Sequence, residues 1–252
     1  MALPISDENI VHAKPPIVNL TLIALNIAVF FVGLAMPGLL VPGATSYNEV
    51  VAKLGVVPAR IIEGEALYTI FTAMFLHGGF SHLFGNMLYL YIFGDNVEAV
   101  MGRARYLVFY LASGVGAVVF HVLSIIAMPN SMVAAATLQT GINPWLIPAI
   151  GASGAISGVL GAYFAMFPHS ELKIVTFWVW IPLIFRVPAA AYIIFWFIYQ
   201  LIMGLSVVFT GVQAGVAFWA HIGGFLTGMA LVRFMASRER IVWANVWRER
   251  FY

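Results

Sequence analysis

Apolar runs separated by short polar or proline-bearing stretches organise this chain. The first run covers residues 17–36 and stops at Pro37-Gly38. Five more cover about residues 80–98, 104–128, 150–167, 189–210 and 214–235. A hydrocarbon core about 30 Å thick needs about 20 apolar residues per helix, so the pattern predicts six membrane-spanning helices. The connection over residues 37–79 mixes Glu49, Lys53, Arg60, Glu63 and Glu65 with many apolar positions. Free coil would be more polar, and the mixture predicts a long folded loop in the membrane interface. A shorter apolar piece, residues 172–187, is interrupted by Pro182 and followed by Pro188. It reads as an interfacial or re-entrant segment rather than a seventh span. The expected fold is therefore an all-α polytopic bundle. It divides into a short N-terminal segment (residues 1–16), a membrane domain (17–235) and a basic C-terminal tail (236–252).

Composition agrees with a membrane protein. The chain is 62% hydrophobic and 9% charged, with a mean hydropathy of +0.97, whereas soluble domains carry about 25% charge. Cysteine is absent, which removes disulfides and thiolate chemistry. The polar N-terminus, with Asp7, Glu8 and Lys14, is neither a cleavable signal peptide nor an Arg-rich transit peptide. The net charge of +2 sits mostly in the tail, so nucleic acid is not an expected partner.

Basic residues set an orientation. With six spans and both termini cytoplasmic, Lys14, Arg103, Arg105, Lys173, Arg186, Arg233, Arg238, Arg240, Arg248 and Arg250 fall inside. Only Lys53 and Arg60 fall outside, as the preference of cytoplasmic loops for Lys and Arg requires. The expected location is the cell membrane.

This orientation puts several polar residues at comparable depth. The second, fourth and sixth spans run from outside to inside, and each carries a polar group early: His82 and Asn86, Ser153, and His221. Intramembrane polar groups are costly and usually mark function. Ser153 lies between Gly151 and Gly154, where a substrate backbone can approach, at the start of a helix whose free N–H groups favour a developing anion. Gly224 and Gly228 follow His221 on its own helix face, while Ser153, Ser157, Gly161 and Ala165 repeat every four residues. Two such small-residue faces can meet closely, bringing the imidazole to the hydroxyl. A packing seam alone explains the glycines but not the histidine. None of the two Asp and eight Glu residues lies in the outer half of the fourth or sixth span, which leaves a Ser–His dyad rather than a triad. His82 and Asn86, one turn apart, offer donors for an oxyanion hole. A zinc site on His77, His82 and His221 would lack HExxH and a nearby carboxylate, so neither metal nor cofactor is expected.

These residues resemble the rhomboid family of intramembrane serine proteases. The likeness covers about residues 68–232. Its pieces are Phe71-Thr-Ala-Met-Phe-Leu-His77, Ser81-His82 with Asn86, Gly94-Asp95-Asn96-Val97-Glu98, Gly102, Gly151-Ala152-Ser153-Gly154 and Ala220-His221-Ile222-Gly223-Gly224. The resemblance implies a six-helix bundle with Ser153 and His221 as a catalytic dyad, and Asn86 and His82 as oxyanion donors. It implies transmembrane-helix substrates cleaved near the outer face. It also implies that Glu98 tethers the first loop from below and that His77 is structural. Two positions depart from some relatives: Tyr68-Thr69 stands where they carry Trp-Arg, and Ser157 where they carry a tyrosine stacked on the histidine. The alternative expectation is a non-catalytic rhomboid-like binder of membrane helices.

Overall fold

The computed structural model describes residues 3–7, 15–211 and 215–236. The basic tail beyond 236, and Glu8 and Lys14 of the N-terminal segment, lie outside these residues. Among the described residues, four helices are long and apolar enough to cross a membrane: α1 (Ile17–Ala35), α7 (Arg103–Ile126), α10 (Ala189–Thr210) and α11 (Phe218–Met235). Between α1 and α7 come the short helices α2 (Pro37–Leu40), α3 (Tyr47–Leu54), α4 (Pro58–Ile62) and α5 (Thr69–Thr72), and then the long α6 (Phe80–Met101). Helix α6 has the length of a span but carries His82, Asn86, Asp95, Asn96 and Glu98. After α7 come α8 (Asn130–Thr140) and α9 (Ser153–Met166).

Helix α9 is only 14 residues long, yet nearly every residue in it is buried. It is apolar all round, the signature of a helix enclosed by other helices. Its neighbours are α6, α7, α10 and α11. The outer helices instead turn large apolar side chains outward, among them Phe31, Val108, Phe195 and Ile202, which a lipid surround leaves at no cost.

The connection over residues 37–79 is folded. Ser46 caps α3 by accepting from the Glu49 N–H at 3.4 Å, while the Glu49 carboxylate accepts from the Thr45 N–H at 3.0 Å. The Tyr47 ring packs against Gly33 of α1. Its phenol donates to the His77 carbonyl and accepts from the His77 N–H, both at 3.0 Å. A bridge between Val56 and Ala149 fastens the same loop to the segment leading into α9.

The fold is mostly helical but not all-α. Residues 172–187 are neither a re-entrant helix nor a span: they lie within an antiparallel hairpin of β2 (Glu171–Trp178) and β3 (Ile181–Pro188). The third strand, β1 (Leu3–Asp7), pairs with the free edge of β2, Leu3 opposite Val175 and Asp7 opposite Leu172. Alternation explains the strand, since Leu172 and Ile174 are buried while Lys173 between them is not. Pro182 sits on the outer strand β3, where a missing N–H breaks no ladder. The Asp7 carboxylate accepts from Asn96 Nδ2 and from the Tyr163 hydroxyl, each at 2.7 Å, tying β1 to α6 and α9.

Candidate active site

Ser153 is the first residue of α9. Before it, Gly151 adopts φ +126°, a conformation that L side chains rarely reach. The Gly151 N–H donates to the Ala73 carbonyl at 2.9 Å, pinning the approach to the serine against the end of the first loop.

His221 lies in the first turn of α11, and α11 runs against α9 with no side chains between them at three points. A Cβ on Gly224 would strike the Gly154 carbonyl, one on Gly228 the Gly158 carbonyl, and one on Gly161 the Phe225 carbonyl. Gly154 is also tight on its other side, where a Cβ would come within 2.6 Å of the Ala117 Cβ of α7. The seam on α9 thus runs through Gly154, Gly158 and Gly161, and only in part through the four-residue series that starts at Ser153. The close approach brings His221 Nε2 to 2.8 Å from Ser153 Oγ. The other ring nitrogen, Nδ1, lies 2.8 Å from Oε1 of Gln200 on α10. The Trp196 indole faces the imidazole at 6.2 Å between ring centres, inclined by 32°.

His82 stands beside this pair. Its Nδ1 accepts from the Gly78 N–H at 3.2 Å, so the ring proton sits on Nε2. Nε2 and Cε1 are so close to Gly151 that a Cβ there would come within 2.9 Å of both, and within 3.5 Å of Ser153 Oγ. The Nε2–H therefore lies beside Gly151, on the approach to Ser153. Asn86, one turn along α6, is buried, and its Nδ2 has no hydrogen-bond partner among the described residues. An amide donor held without a partner in a packed interior is available to a charge that forms later. Beside Ser153 is a cavity of about 50 Å³, lined by Met74, Ala117, Val118, His121 and Ala220.

One expected partner differs. Glu98 does not brace the first loop. Its carboxylate accepts from the N–H groups of Val18 at 3.2 Å and Asn19 at 2.7 Å, capping the start of α1, with Arg103 at 4.0 Å. The brace on the loop is Tyr47. His77 packs its ring on His82, centres 5.1 Å apart. Burial, reinforced by that neighbour, pushes the His77 imidazole down to about 4. Among the described residues no three His, Asp or Glu side chains converge as a metal site would need. Gln200 is the site residue that composition and motif spacing did not single out, although it is the lone amide in α10.

Known proteins resemble this chain. A family model described as the Rhomboid domain matches residues 64–238. RHOMBOID-like protein 6, mitochondrial, of Arabidopsis thaliana is 29% identical over 197 residues, which is 78% of this chain and 53% of that protein. RHOMBOID-like protein 2 of the same plant is 30% identical over 78% of this chain and 51% of its own length. Rhomboid protease GluP of Bacillus subtilis is 32% identical over 60% of this chain and 24% of its own length. The chain thus spans about half the length of these plant relatives. Its apolar helices make it an integral membrane protein, and a domain match over most of its length means that it belongs to the rhomboid family.

Proposed function

We propose that the protein is an intramembrane serine endopeptidase acting on transmembrane helices. The observation that carries this is the 2.8 Å separation of Ser153 Oγ and His221 Nε2 at the mouth of a helix N-terminus. His221 takes the serine proton as Ser153 attacks the scissile carbonyl. The oxyanion is received by the Ser153 N–H, the His82 Nε2–H and Asn86 Nδ2. His221 then protonates the leaving amine, and water, activated in turn by His221, hydrolyses the acyl-enzyme. The Bacillus relative is named a rhomboid protease, which supports the same reaction class.

In this reading α6 and α9 complete a six-helix bundle with α1, α7, α10 and α11. The polar faces of α6 and the short α9 are covered by protein or line a water-filled cavity, the only setting where such groups persist at membrane depth. The distribution of basic residues puts both termini in the cytoplasm and the loop at 37–79 at the outer face, so cleavage occurs near that face. The single-pass substrate enters from the lipid.

A fluorophosphonate tests the proposal directly. Purified protein in detergent is expected to be phosphonylated on Ser153, as peptide mapping would locate. Ser153→Ala and His221→Ala are expected to abolish both the labelling and the cleavage of a transmembrane substrate. Absence of labelling in a folded wild-type preparation, or labelling at another serine only, would refute the reaction. A helix-binding protein without catalysis would retain a transmembrane segment in pull-down and leave it intact.

A further inference from the structure

The Ser–His pair lacks the carboxylate that usually orients such a histidine. No Asp or Glu occurs anywhere in α9, α10 or α11. Ser157 does not support the histidine, since its hydroxyl donates backward to the Ser153 carbonyl at 2.7 Å and not to the imidazole, and the Trp196 indole on the ring's face offers no acceptor for a ring N–H. Yet His221 Nδ1 is not idle, since Gln200 Oε1 lies 2.8 Å from it. Gln200 is buried, with 5% of its surface exposed, in a helix that is otherwise largely open to lipid. It shares an inward face with the buried Ile193 and Gly204. One turn further on, the Trp219 indole donates to the Gly204 carbonyl at 2.9 Å, which fixes the height of α10 against α11. An amide buried in an apolar helix costs free energy unless it is hydrogen-bonded, and the contact with the imidazole satisfies its oxygen.

We propose that Gln200 is the positioning residue for the general base: its side-chain carbonyl accepts the Nδ1 proton of His221 and holds the imidazole with its Nε2 lone pair on Ser153. The role rests on the serine-protease reading of the site. The tautomer is decisive. With the proton on Nδ1, Nε2 is the acceptor and can take the serine proton. With the proton on Nε2, the ring is only a donor to Oγ and cannot act as base. The amide carbonyl selects the first state. It remains neutral, so it avoids the cost of a buried carboxylate in lipid while still meeting the N–H that strengthens as imidazolium forms.

Gln200→Met keeps length and flexibility but removes the acceptor; Gln200→Glu restores an acceptor oxygen. The measurements are the rate of Ser153 phosphonylation, kcat and KM for a transmembrane substrate, and the melting temperature. In Gln200→Met, phosphonylation and kcat are expected to fall together by about 10- to 100-fold, the loss of one hydrogen bond plus an unsatisfied buried N–H. KM is expected to stay near wild type and the melting temperature to fall by no more than a few degrees, and Gln200→Glu to return both rates to within about threefold of wild type. Phosphonylation of Gln200→Met at the wild-type rate would overturn the role, whatever happened to KM or stability, since packing or substrate entry would then be the function of the residue. If Gln200→Met does not fold, nitrogen-15 spectra of histidine-labelled wild type, assigned with His221→Ala, decide the matter. A proton on Nδ1 of His221 supports the role and a proton on Nε2 overturns it. A folded wild type that no phosphonate labels would refute the protease reading itself, an outcome separate from a labelled wild type with an equally labelled Gln200→Met.

Discussion

Replacing Gly224 by alanine places one methyl group in the seam that brings Ser153 and His221 together. The added carbon would strike the Gly154 carbonyl oxygen and stand 2.9 Å from the carbonyl carbon. Non-bonded carbons settle at about 3.5–4.0 Å. Gly154 is backbone inside α9 and cannot rotate aside, so α11 has to retreat by about 1 Å at that turn. His221 sits three residues earlier on the same face and moves with it. Its 2.8 Å contact to Ser153 Oγ then lengthens beyond the range of a useful hydrogen bond. Overpacking of this kind costs about 1–3 kcal/mol of stability, and a 1 Å misplacement of a reacting group costs about 10²-fold in rate. Gly224→Ala is therefore expected to melt lower and to be phosphonylated about 100-fold more slowly. Gly85→Ala is the control. Gly85 lies in α6, where a Cβ would have nothing within 4 Å, and that variant is expected to differ by less than about 1 kcal/mol. A Gly224→Ala protein with wild-type melting and a labelling rate within about twofold of wild type would refute the claim that this seam sets the Ser153–His221 distance. Equal damage from Gly85→Ala would mean that the bundle resists any added methyl, and the argument from position would fail.

Other consequences are smaller to state. Asn86→Ala removes an unpartnered donor, so kcat is expected to fall by about 10²–10³ with little change in KM or melting temperature; a near-normal kcat with lowered melting would make Asn86 an interhelical tie. His77 is held down to about 4 from an ordinary 6.5, so the unfolded chain binds a proton there that the folded one refuses. Stability from this group is complete above pH 6.5 and is lost as pH falls toward 4, with a slope of at most about 1.4 kcal/mol per pH unit. Melting curves from pH 7 to 4.5 are expected to fall less steeply in His77→Gln than in wild type, and identical slopes would count against the buried neutral ring. For topology, a membrane-impermeant thiol reagent on intact cells is expected to label Thr45→Cys and spare Arg105→Cys, the native chain having no cysteine; the reverse pattern would invert the proposed orientation.

The pairing of Ser153 with His221 is legible in the sequence because two signals with different physical origins coincide. Four-residue spacing of glycine and serine reports where helices touch, and the order of spans with their basic ends reports depth. His221 and Ser153 satisfy both. The sheet escapes this logic. Residues 181–185 are apolar at every position and exposed on β3, so no alternation separates strand from buried helix. β1 is equally hidden, since its partner lies far along the chain and Pro4 weakens a strand pattern. Glu98 shows a different limit. A carboxylate near a helix end marks a tether, but its partner depends on where the first turn of α1 sits in space. Gln200 was within reach: it is the lone amide in a 22-residue apolar helix, and such a residue is a functional candidate on cost alone.

The placement of charge along α6 connects these points. Its first half carries His82, whose ring lies beside Gly151, and the buried Asn86, whose Nδ2 has no partner among the described residues. Its second half carries the carboxylates Asp95 and Glu98, with Glu98 accepting from the first turn of α1 and Asn96 reaching the Asp7 carboxylate of β1. A carboxylate needs several donors or a cation to be kept in a protein interior, and those are found where helix ends and the strand β1 converge, not in the apolar seam of α9 and α11. The seam can hold only neutral polar groups that satisfy one another: hydroxyl, imidazole and amide. That restriction explains why the groups within hydrogen-bond distance of the His221 ring nitrogens are Ser153 and Gln200. It also makes Gln200→Glu a discriminating variant: in the seam its side chain is expected as the neutral acid, whose carbonyl oxygen can still accept the Nδ1 proton, so its activity tests the acceptor oxygen and not the arrival of a charge.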